Sequence, residues 1–219
     1  MKNIFYKIAS YVWDIPIAKT SSPQNEYLEI VWSMGRKMLN TENANFSFGS
    51  GFEVFKLAMS KIPTNITNAN SILVLGFGCG SILDLLEKSY TYSGNLDGVE
   101  YDQEIVNLFL QHFAADYNLK PHISICDAKD FSTNPENQYD IIFVDLFIDL
   151  ETAPLVFDEQ FLTNLNTMLA PQGCLVFNTI LKTTEDKIRT TELMIKLGKT
   201  HKSVQSFSFQ DLNKIIIAQ

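Results

Sequence analysis

The segment Ser71-Ile-Leu-Val-Leu75 is a short apolar run that leads directly into Gly76-Phe-Gly-Cys-Gly80. An apolar run of that length, closed by glycines, reads as a parallel strand buried on both faces. It opens an alternation that continues to the end of the chain. Residues 95–100, 122–126, 139–145 and 174–180 read as further strands. Helical periodicity falls between them, at 82–90, 105–113, 157–169 and 185–197. Asp102 is placed to cap the second of these helices, and Pro171 with Gly173 stops the third. Residues 203–209 and 214–218 read as two closing strands across the hairpin-like gap at 210–213.

Strands alternating with helices form a parallel sheet covered on both faces. Right-handed crossovers restrict its topology. The expected fold class is α/β: a Rossmann-like, doubly wound, seven-stranded sheet, mostly parallel, with an antiparallel hairpin at the C-terminal end. Before residue 50 the texture differs. Residues 26–33 are strand-like in composition and 36–39 form another short segment, while 52–62 has helical spacing. The chain therefore divides into a small β-containing segment, 1–50, and a Rossmann domain, 51–219.

The net charge of −8 and pI near 4.9 disfavour nucleic acid as a partner, because phosphate binding needs a basic face. A cationic substrate is compatible with that balance. Cys79, Cys126 and Cys174 are far apart and show neither a disulfide framework nor zinc spacing, which points to a reducing, cytoplasmic setting and no metal. Lys2, Lys7 and the apolar residues up to Ala18 look faintly like a signal. Asp14 interrupts that run, which is too short to span a membrane. It reads as an N-terminal structural segment, and no membrane partner is expected.

In open α/β sheets, ligands bind beyond the carboxyl ends of the strands. After the first strand, Gly76, Gly78 and Gly80 permit a tight turn and close approach of backbone to a ligand. A dinucleotide fingerprint needs a glycine where Ser81 stands, so a nucleoside without pyrophosphate fits better than a nicotinamide cofactor. After the second strand, Glu100 lies 20 residues beyond Gly80, suited to accept both ribose hydroxyl protons. Tyr101 is placed to pack on an adenine face or to sit at the rim. After the third strand, Asp127 suits an exocyclic adenine amine, or the cap of a helix beginning at Ala128. After the fourth, Asp145 is the first charge following Ile141-Ile-Phe-Val144, placed to attract a sulfonium or to take a proton. His112 reads as a partly buried structural residue and Cys79 as a small packing residue.

These strand-end residues resemble the class I S-adenosylmethionine-dependent methyltransferases and, within that superfamily, the spermidine synthase group. Ile72-Leu-Val-Leu-Gly-Phe-Gly-Cys-Gly80 is similar to its first motif and Leu96-Asp-Gly-Val-Glu-Tyr-Asp102 to its ribose motif. Cys126-Asp-Ala128 is similar to the adenine motif, Tyr139-Asp-Ile-Ile-Phe-Val-Asp145 to the motif after strand four, and Leu169-Ala-Pro-Gln-Gly173 to the turn before strand five. The likeness covers about residues 70–180, and more faintly 20–62. It implies that Gly76, Gly78, Gly80, Glu100, Tyr101, Asp127, Ala128 and Asp145 hold S-adenosylmethionine or its decarboxylated form. It also implies Asp145 as the catalytic residue, a small-molecule acceptor such as an amine, and a homodimer.

The chain departs from the group at three places. The D-x-x-D-P motif is replaced by Asp145-Leu-Phe-Ile-Asp149, one residue out of step and without the proline. Cys79 and Ser81 stand where the group carries an acid. Asn45-Phe-Ser-Phe-Gly-Ser50 lacks its Tyr and its His or Gln. The expected activity is accordingly methyl transfer to a small molecule. Aminopropyl transfer from decarboxylated S-adenosylmethionine is the alternative. A third reading is adenosyl binding without catalysis, with Leu146, Phe147 and Ile148 filling the acceptor space.

Overall fold

The computed structural model describes residues 2–42, 45–47, 50–133, 137–148 and 150–219. The segment before residue 50 is helix α1 (Lys2–Ala9) followed by four antiparallel strands in sequential order: β1 (Ile15–Thr20), β2 (Leu28–Ser33), β3 (Arg36–Thr41) and β4 (Asn45–Ser47). Ser10 joins helix to sheet. Its carbonyl accepts from Met34 N–H and its hydroxyl oxygen from Gly35 N–H, both at 2.9 Å. The stretch read as one N-terminal segment is thus a helix and a strand. Helices α2 (Ser50–Lys61) and α3 (Pro63–Asn68) lead into the main sheet.

That sheet contains β5 (Ser71–Leu75), β6 (Asn95–Glu100), β7 (His122–Ile125) and β8 (Tyr139–Val144). Helices α4 (Ser81–Tyr90), α5 (Gln103–His112) and α6 (Ala128–Thr133) connect them. A two-strand ribbon follows, β9 (Phe147–Ile148) with β10 (Glu151–Thr152). Then come α7 (Glu159–Met168), β11 (Leu169–Ile180), α8 (Thr184–Leu197), β12 (Val204–Phe209) and β13 (Asn213–Ala218). The order across the sheet is β12-β13-β11-β8-β5-β6-β7. Pairings from β11 to β7 are parallel, and β13 is antiparallel to both neighbours. The expected fold is present.

Period-two alternation divides the core into two layers. Ile72, Val74, Ile141, Phe143 and Val176 face α2, α4 and α5, packing with Phe55, Met59, Leu83 and Phe109. Leu73, Leu75, Ile142, Val144 and Phe177 face the other side, with Phe161, Leu165, Leu193 and Leu197 from α7 and α8. Leu28, Ile30 and Leu39 of the N-terminal sheet join the first layer, so the two sheets share a core.

Asp102 caps α5 through Glu104 N–H (2.9 Å) as expected. Its other oxygen accepts from Asn25 Nδ2 (2.8 Å) and from the Ser22 hydroxyl, tying the N-terminal segment to the main sheet. Of the boundaries that differ from expectation, two have a clear local cause. Helix α7 starts at Glu159, because Asp158 accepts from Phe161 N–H (2.9 Å) and Pro154–Phe157 forms a 3-10 turn before it. Pro171 and Gly173 lie inside β11, where the register with β8 shifts between Leu169 and Cys174. That irregularity absorbs both residues without ending the strand.

Candidate active site: a row of polar side chains across the strand ends

Strand register builds the site. Val144 stands opposite Leu75 and Phe177, and Leu75 opposite Val99. One residue further along, Glu100, Gly76, Asp145 and Asn178 come level on β6, β5, β8 and β11. Alternation puts them on the face of Val74 and Phe143. The strands carrying Glu100 and Asp145 are two spacings apart, about 10 Å. Between them stands a residue with no side chain.

Gly76 has to be glycine. Its φ is +84°, and a Cβ there would lie 2.2 Å from the Asp145 carbonyl oxygen. Phe77 packs inward over Gly98 and meets Phe109 edge-on at 5.0 Å, anchoring the loop in the core. Gly80 (φ +88°) begins α4, and its carbonyl accepts from Asp84 N–H (2.9 Å).

Glu100 is only 7% exposed, so it is a buried carboxylate rather than a solvated one. Its Oε2 accepts from Gly78 N–H (2.8 Å) and its Oε1 from Asp102 N–H (3.1 Å). It therefore braces the glycine loop. Backbone N–H groups use much of its accepting capacity, and what remains is open to a ligand hydroxyl. Burial pushes its pKa up, opposed by the backbone N–H groups.

Asp145 is half-buried and accepts from Asn178 Nδ2 at 3.0 Å. Burial pushes its carboxyl up to about 7; the Asn178 hydrogen bond opposes the shift and the Glu100 charge adds to it. At neutral pH this group is balanced between proton acceptor and proton donor.

Asp127 is exposed, and its Oδ1 accepts from Lys129 N–H (2.8 Å) at the start of α6, the capping geometry. Tyr101 is 59% exposed at the rim, and Ala128 is buried. Ribbon β9–β10 follows Asp145. Leu146 O accepts from Ala153 N–H (2.9 Å) and Thr152 Oγ1 from Ile180 N–H (2.8 Å), fastening the ribbon to the end of β11. Leu146 and Phe147 are half-buried, but Ile148 is 62% exposed and so fills no acceptor space. Asp149 lies outside the described residues, as do the side chains of Asn45–Ser50. Among the described residues, no three His, Cys, Asp or Glu side chains group to hold a metal. None of the three cysteines forms a disulfide, and burial pushes the Cys79 thiol well up.

Sequence reasoning missed Asn178 and its neighbour Asn213. The available signal was a polar residue breaking the apolar run of a buried strand at the level of its carboxyl end.

The sheet order and the polar row define a Rossmann-like fold of the methyltransferase type. Solved structures share it. Human methyltransferase-like protein 13 in complex with SAH superposes with TM-score 0.62 at 19% identity, over 78% of this chain and 82% of that one. Spermidine synthase from Thermotoga maritima gives 0.64 at 15% identity, over 93% and 72%. A probable spermidine synthase from Corynebacterium glutamicum gives 0.66 at 15% identity, over 95% and 77%.

The spermine/spermidine synthase domain matches residues 54–213, and the chain belongs to that family. A probable polyamine aminopropyl transferase of Bifidobacterium longum is 31% identical over 116 residues, covering 53% of this chain and 25% of that protein. A polyamine aminopropyltransferase of Prochlorococcus marinus is 29% identical over 119 residues, covering 51% and 41%. The chain thus spans a quarter to two fifths of these two relatives. These matches overturn the expectation of a methyltransferase acting on an unidentified small molecule: the family match is to a spermine/spermidine synthase domain, and the curated relatives are polyamine aminopropyltransferases. No helix among the described residues is long and apolar enough to cross a membrane.

Proposed function

We propose that this chain transfers an aminopropyl group from decarboxylated S-adenosylmethionine to an amine. The observation that carries this reading is the polar row. It sets Glu100 and Asp145 on either side of Gly76, with the Asp145 carboxyl pushed up to about 7 by burial. The family match and the aminopropyltransferase relatives support it.

In this reading Glu100 accepts the ribose hydroxyls while it braces Gly78. The free oxygen of Asp127 takes the adenine amine, with Ala128 and Tyr101 lining that side. The loop Gly76, Gly78 and Gly80 allows the donor to lie against backbone. The row supplies two carboxylates and two glycine or amide positions but no cation. A donor without a carboxylate is therefore the better match.

The sulfonium is already an activated leaving group, so orientation and desolvation supply much of the effect. The acceptor nitrogen forms a bond to the aminopropyl carbon as the carbon–sulfur bond breaks, releasing 5′-methylthioadenosine. The nitrogen gives up a proton, and ionised Asp145 is the base in position to receive it.

The test supplies decarboxylated S-adenosylmethionine with putrescine and follows the acceptor by mass spectrometry. Addition of one aminopropyl group, lost in Asp145→Asn, supports the reading. Donor binding with no turnover over a panel of diamines contradicts it and favours an adenosyl-binding role.

A further inference from the structure

Asn213 opens β13 and stands opposite Ile180 in the antiparallel pairing with β11. On a pleated sheet that makes it the diagonal neighbour of Asn178, on the same face. The Asn213 Nδ2 group donates to Asn178 Oδ1 at 3.0 Å, and the Asn178 Nδ2 group donates to Asp145 Oδ1 at 3.0 Å. Asn178 is 2% exposed and Asn213 8%. The chain of two amides therefore runs through the core to the carboxylate.

An amide can turn either end toward a neighbour. With its oxygen toward Asp145, Asn178 would repel the carboxylate and accept from the protonated acid, favouring the neutral form. With its NH2 toward Asp145, it favours the ionised form. Asn178 cannot choose by itself, because its two ends are nearly the same shape. In the structure the Asn213 Nδ2 group occupies Asn178 Oδ1, so the NH2 is the end that Asn178 presents to Asp145.

We propose that Asn213 is a positioning residue, acting through Asn178 to hold Asp145 in the orientation and ionisation state needed to accept a proton. The catalytic meaning of this relay rests on the function proposed above; the coupling itself does not. Among the described residues, Glu100, on β6, is the charged group that acts on Asp145, while β5 presents Gly76. Lys214 follows Asn213 but alternates to the opposite face, where its ammonium donates to Ser208 Oγ (3.4 Å).

The test is a carboxyl-carbon NMR titration of Asp145 in the ligand-free protein, which needs no assumption about the reaction. Asn213→Leu should raise the Asp145 midpoint by about one pH unit, as expected when a hydrogen bond to a charged group is weakened. In an Asn178→Leu background the same substitution should add nothing, because the intermediary is gone. An unchanged midpoint in Asn213→Leu, or a shift that persists undiminished without Asn178, overturns the relay.

Should Asn213→Leu fail to fold, the wild-type protein gives the answer. The side-chain amide resonances of both Asn178 and Asn213 should move with the Asp145 titration, and silence at either refutes the coupling. Under aminopropyl transfer, the acidic limb of the kcat profile should follow the NMR midpoint. NMR coupling in a protein without that turnover would sink the proposed function and leave the relay standing.

Discussion

Replacing Asp145 by asparagine should make the protein more stable at alkaline pH while removing its proposed proton acceptor. The folded-state pKa is about 7 against a model value of 3.8. Between those values the folded protein binds more protons than the unfolded chain, so stability falls as pH rises. The favourable contribution is fully present below pH 3.8 and is lost on rising through 7. Three pK units at about 1.4 kcal/mol each give a ceiling of roughly 4 kcal/mol at pH 8. Water reaching a half-buried carboxylate reduces this to about 2 kcal/mol. Asparagine has the same shape and still offers an oxygen to Asn178 Nδ2, so its substitution removes the charge without opening a cavity. Thermal unfolding should show Asp145→Asn melting roughly 5 °C above wild type at pH 8. The difference should shrink toward zero at pH 4. A variant less stable than wild type at pH 8, or a gain independent of pH, would refute the electrostatic picture of the site.

Other substitutions probe the scaffold. Gly76→Ala meets both a positive φ and the Asp145 carbonyl, and should destabilise by about 3 kcal/mol in denaturant titration; a near-neutral effect would show that the loop is not locked against β8. Asp102→Ala removes the α5 cap and the bonds to Ser22 and Asn25, and should lose about 2 kcal/mol, with increased proteolysis before residue 50. In native protein at pH 8, a thiol reagent should modify half-buried Cys126 slowly and leave buried Cys79 and Cys174 intact until unfolding. Rapid labelling of Cys79 would place the glycine loop in a more open state than described.

The parallel strands were legible because burial on both faces leaves uninterrupted apolar runs such as Ile141–Val144. The glycines and Asp102 were legible because positive φ and helix capping depend on local sequence. Helix α1 was not distinguished from β1, because Ile4, Phe5 and Ile8 remain exposed and their spacing answers to no internal partner. The ribbon β9–β10 is too short to carry a period. The brace from Glu100 to Gly78 joins residues 22 positions apart, and the link from Asn213 to Asn178 spans 35. Both follow from strand register, which a single sequence does not express. Asp127 illustrates a local rule competing with function: capping accounts for one of its oxygens, and only the other is left for a ligand.

The central claim concerns which group leaves the donor. Incubating the protein with an equimolar mixture of S-adenosylmethionine and decarboxylated S-adenosylmethionine, together with putrescine, and weighing the acceptor by mass spectrometry, tests it most directly. The account predicts an acceptor enlarged by one aminopropyl group, with 5′-methylthioadenosine released in equal amount and no methylated product. A methylated acceptor, or unchanged putrescine and other diamines beside a bound donor, would contradict it.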